Sequence, residues 1–79
     1  MNVETEVEQL IADAIKDARV RVQGMDGKYQ VSVVSDFFEG LGAVKRQQAI
    51  YRLLQPYISS GSIHAVSMQL QTRAEAAEN

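Results

Sequence analysis

The chain has no cysteine and no tryptophan, and only one proline, in 79 residues. Without thiols there is no disulfide, no thiol nucleophile and no thiolate metal site, so metal chemistry here must take its thiolates from another molecule. No apolar run approaches the ~20 residues that cross a bilayer. The opening Met1-Asn2-Val3-Glu4 also lacks the basic-then-apolar form of a signal peptide. A cytoplasmic location, away from membranes, is the expectation. There is no excess of basic charge either: 8 basic and 10 acidic residues leave a formal net charge of -2, and such a field does not draw in a phosphate backbone. Walker and Rossmann glycine patterns are missing. Ser35, Asp36 and His64 could be named as a triad, but nothing like a nucleophile elbow surrounds the serine. No enzyme is expected.

What is present is an ordinary globular composition, 46% hydrophobic and 23% charged. A chain of this size has no core to divide, so residues 1–79 are expected to form a single domain. Val3, Val7, Leu10, Ile11, Ala14, Ile15 and Ala18 recur at helical spacing and predict a helix from about Glu4 to Asp17. Thr5 and Glu8 have the spacing of a capping box, with Asn2 as the other candidate cap. Val20 and Val22 alternate with polar residues, Gly24 to Lys28 reads as a turn around Asp26-Gly27, and Tyr29 to Ser35 returns to β-prone residues, which together predict a hairpin. Asp36 to Gly42 is a sharp turn.

A second amphipathic helix begins at Ala43, with Ile50 and Leu54 on its buried stripe. Pro56 lacks an amide donor and is expected to break this helix near Gln55, leaving one long helix and one short. After the loop Ser59-Ser60-Gly61-Ser62, a third strand is expected over Ile63 to Leu70, with His64, Val66, Met68 and Leu70 on one face. Thr72 and Glu75 again have capping-box spacing, ahead of a last helical turn over Arg73 to Ala77. The order α-β-β-α-α-β predicts an α+β domain with helices on one face of a three-stranded sheet. From the residues alone, this is a small interaction domain without catalysis.

Phe38 and Gly40, then Arg46, Ile50, Tyr51 and Leu54 at helical spacing, then Ile63-His64-Ala65-Val66-Ser67, resemble the BolA family, in particular its short bacterial branch. The resemblance runs from about Val20 to Glu75. It implies the same element order, related to the second type of KH fold. It also implies an adaptor that binds a monothiol glutaredoxin and shares a 2Fe-2S cluster, with His64 as the iron ligand, in iron-sulfur trafficking or in iron, redox and stress responses. Two positions depart from the pattern: Lys28 stands where many members carry a second ligand, His or Cys, in the hairpin, and Glu75-Ala76 stands where Glu-Trp is common. Lys28, Lys45, Arg46 and Arg52 are the candidate contacts to a partner. The alternative reading is a transcription regulator that meets DNA through the basic long helix, at Lys45, Arg46 and Arg52. Three basic residues are few for that task.

Overall fold

The computed structural model describes residues 2–78. Helix α1 spans Val3–Ala14, strands β1 and β2 span Arg19–Met25 and Lys28–Val34, α2 spans Ala43–Ser59, β3 spans Ala65–Gln71 and a short α3 spans Arg73–Ala77. A single 3-10 turn, Asp36–Phe38, sits between β2 and α2. The sheet order is β1-β2-β3, antiparallel between β1 and β2 and parallel between β2 and β3. The α+β class and the three-stranded sheet are as expected.

One face of the sheet holds the core. Cross-strand rows place Val22 opposite Val31 and Val20 opposite Val33, then Val31 opposite Met68 and Val33 opposite Leu70. Val7 and Ile11 of α1 and Ile50 and Leu54 of α2 press onto these rows and are fully buried, with Phe38 beside them. Both helices therefore cover the same face, because each has an apolar stripe that can be removed from water only there.

Several boundaries differ from the sequence expectation, each for a local reason. α1 stops at Ala14, and the chain turns through Asp17, whose φ of 58° no helix accommodates. Its cap is Asn2, whose side chain accepts the Thr5 N–H at 2.8 Å. Glu8, freed from the cap, instead accepts the Val22 N–H at 2.9 Å and so covers part of the outer edge of β1. The break expected at Pro56 does not occur, and α2 runs on to Ser59. Proline removes one hydrogen bond, the one to the Arg52 carbonyl, and Arg52 and Pro56 are both exposed, so water can serve that carbonyl. β3 starts at Ala65 rather than Ile63; Ile63 drops into the core, 3% exposed, while its N–H donates to the Tyr57 carbonyl at 3.1 Å. The capping box at Thr72 and Glu75 is present in full.

Candidate functional site

His64 lies just before β3, outside the pleat, and is exposed. The expectation that it shares a face with Val66, Met68 and Leu70 is corrected here: those three are half-buried on the core side, whereas His64 stands at the rim. The hairpin turn holds it there. The His64 N–H donates to the Gly27 carbonyl at 2.7 Å, and the Ala65 N–H shares that acceptor at 3.0 Å.

The Cδ2 edge of the imidazole lies against Gly27. A Cβ at that position would meet His64 Cδ2 at 2.2 Å, so the ring comes this close only because residue 27 has no side chain. Gly27 is itself buried and has φ +81°, which glycine adopts freely. The turn glycine thus has two functions, closing the hairpin and seating the ring. Lys28 follows it, opposite Ala65 in the parallel register and exposed. The backbone therefore sets His64 and Lys28 on adjoining segments at the turn end of the sheet, with Gly27 against the edge of the ring.

The basic residues of α2 are placed elsewhere. Arg46 makes hydrogen bonds to the Leu41 carbonyl at 2.7 Å and the Leu70 carbonyl at 3.1 Å. Its two terminal nitrogens also form a fork on Glu75, at 2.6 and 3.1 Å. The guanidinium also sits 5.8 Å from the Phe38 ring centroid. With side-chain exposure of 14%, Arg46 ties α2, β3 and α3 together. Lys45 and Arg52 remain exposed on α2. Leu70 is at the far end of β3 from His64, six residues along a strand, or roughly 20 Å at 3.3 Å per residue. The end of α2 that carries Lys45 and Arg46 is thus remote from the histidine.

The Arg46 fork, followed by the Thr72 N–H, holds the Glu75 carboxyl well below the usual carboxylate range, at about 2. A carboxyl whose folded-state value is depressed contributes stability above its unfolded value, and loses that contribution as pH falls through the folded one. The window is therefore from about 4.5 down to about 2. Urea midpoints measured across it are expected to fall more steeply for the wild type than for Glu75→Gln; equal slopes would show that the fork does not operate in solution.

Among the described residues no group of His, Cys, Asp and Glu side chains is placed to hold a metal ion by itself. A metal ion met by this chain through the His64 imidazole would need its other ligands from another molecule. Two aromatics are exposed, Phe37 at 53% and Tyr51 at 40%. Among the described residues no helix is long and apolar enough to cross a membrane.

Comparison with known proteins gives the same assignment as the fold. The model of the family described as "BolA-like protein" matches residues 4–75. An uncharacterized protein in the rpoN-murA intergenic region of Acinetobacter guillouiae is 41% identical over 75 residues, covering 95% of this chain and 89% of that one. The acid stress protein IbaG of Escherichia coli K12 is 37% identical over 70 residues, covering 89% and 83%. The structure of a bolA protein homologue from Coxiella burnetii superposes with a TM-score of 0.81 at 27% identity, covering 98% of this chain and 99% of that one. With its sheet, its helices and the length of its match all in agreement, the chain belongs to the BolA-like family, in the short bacterial branch that includes IbaG.

Proposed function

We propose that this protein is an adaptor that docks a monothiol glutaredoxin and offers His64 as one ligand to a 2Fe-2S cluster held between the two chains. The observation that carries the reading is the seat of His64: exposed at the rim of the sheet, its ring edge against a glycine that leaves room for it, in a chain with no other histidine and no cysteine. A lone imidazole cannot assemble a cluster, but it can complete one whose thiolates come from a partner. A neutral nitrogen donor also adds no negative charge, and replacing a thiolate with one raises the cluster's potential.

Lys28 cannot coordinate iron as an ammonium. Beside His64 it supplies a positive charge to a cluster made negative by thiolates, or to an acidic group on the partner. The protein's task would then be in iron-sulfur trafficking or in iron and redox sensing. The relative named as an acid stress protein supports a place in a stress response.

Isothermal titration of the purified chain with a monothiol glutaredoxin, in apo and cluster-loaded forms, tests the partnership. Heat of binding is expected with both, and tighter binding with the loaded form. No binding to either form would overturn the proposal.

A further inference from the structure

The face of the sheet turned away from α1 and α2 is not covered by either helix, and its charges are all of one sign. β1, β2 and β3 together contain no Asp or Glu, although the chain has 10. They do carry Arg19, Arg21 and Lys28, all exposed. A solvated sheet face usually balances cations with acids on the neighbouring strand, because such cross-strand pairs stabilise the ladder. Here Arg19 is opposite Val34, Arg21 opposite Ser32, and Lys28 between Met25 and Ala65. The intervening positions are the amides of Gln23, Gln30 and Gln69 and the hydroxyl of Ser67.

Arg73 extends the patch at the Arg19 end. Its guanidinium donates to the Asp17 carbonyl at 3.2 Å, and it lines one recess together with Arg19 and Val34. The nearby carboxylates stand at the rims, with Asp17 in that recess, Asp36 accepting the Arg73 N–H at 3.1 Å and Asp26 in the hairpin turn. Meanwhile α1 carries Glu4, Glu6, Glu8 and Asp13 and no base. The molecule is acidic as a whole and basic on this face.

We infer that this open sheet face is a docking surface for a short carboxylate-rich segment of a partner protein. Size selects a segment rather than a globular surface. Three strands about 4.8 Å apart and roughly 20 Å long offer on the order of 300 Å², well under the ~800 Å² per partner of a stable interface. Chemistry selects carboxylates over nucleic acid. The face has no aromatic ring on which a base could stack, and its few cations fall short of what a phosphate backbone engages. Glutamine amides and serine hydroxyls, by contrast, can hydrogen-bond carboxylates and main chain alike. The inference concerns a surface and does not depend on a cluster at His64.

The test is a titration of the 15N-labelled full chain with octaglutamate, and separately with octathymidylate, at low and high salt. Octaglutamate is expected to shift the amides of Arg19 to Gln23, Gln30 to Val34 and Ser67 to Gln71, and the shifts should fade at high salt. Arg19→Glu with Arg21→Glu should weaken binding at least about tenfold, and Arg19→Gln with Arg21→Gln should weaken it less while preserving the fold. Lys45→Glu with Arg52→Glu on α2 should leave it unchanged. Shifts confined to α2, unchanged binding by the folded Arg19→Gln, Arg21→Gln chain, or tighter binding of octathymidylate would each overturn the inference.

Discussion

Phe38→Ala is expected to destabilise the protein by roughly 3–5 kcal/mol, the range for truncating a fully buried aromatic. The ring is 0% exposed and is the largest of the fully buried side chains. It sits under the Arg46 guanidinium at 5.8 Å and meets Phe37 edge-on at 5.7 Å. Its backbone is tied down on both sides: the Phe38 N–H donates to the Ser35 carbonyl at 3.2 Å, and the Phe38 carbonyl accepts from Leu41 at 3.0 Å. The segment cannot readily shift to fill the void. A domain of this length has only about 4–12 kcal/mol of total stability, so the variant should lose a large share of it. Urea denaturation followed by circular dichroism measures the loss. A change below about 1 kcal/mol would mean that the ring does not occupy the core as described.

Gly27→Ala is expected to act on the site more than on the fold. The left-handed backbone at residue 27 costs a non-glycine residue about 1–2 kcal/mol, a moderate loss. The new methyl group would also occupy the place of the His64 ring, 2.2 Å from Cδ2, and because the histidine is exposed the ring can swing away. The variant should therefore remain folded while its imidazole resonances move, and it should lose most of any His64-dependent behaviour although His64 is still present. Imidazole resonances identical to the wild type would contradict the proposed seat.

The contrast between Phe38 and Gly27 also indicates what the sequence makes legible. Apolar spacing is sufficient to identify the helices, the strands and most of the core, since each buried stripe follows from a period of 3.6 or 2. Spacing does not show where the backbone enters the pleat. β3 begins two residues later than the alternation suggests, so Ile63 and His64 lie outside the pleat, and one becomes core while the other stands at the rim. Gly27 reads as a turn residue in sequence, and its contact with a ring 37 positions later is a tertiary fact.

Arg46 is misleading for a related reason. On the helical wheel it belongs with Lys45 and Arg52 as a basic face, yet a neighbour 29 positions away, Glu75, fixes it in the interior corner of the fold. The Thr72 capping box was visible and holds, and its Glu75 end has the second task of binding Arg46. Pro56 does not break the helix because the cost of proline applies to a helix interior, whereas here it falls in the last turn, on an exposed side.

The central claim is that His64 ligates iron in a cluster shared with a glutaredoxin. Its most direct test is visible circular dichroism of a cluster-loaded monothiol glutaredoxin, titrated with the wild-type chain and then with His64→Ala. A new spectrum is expected that saturates with the wild type and does not form with His64→Ala, even where the variant still binds the apo partner. The same spectral change with His64→Ala as with the wild type would contradict it.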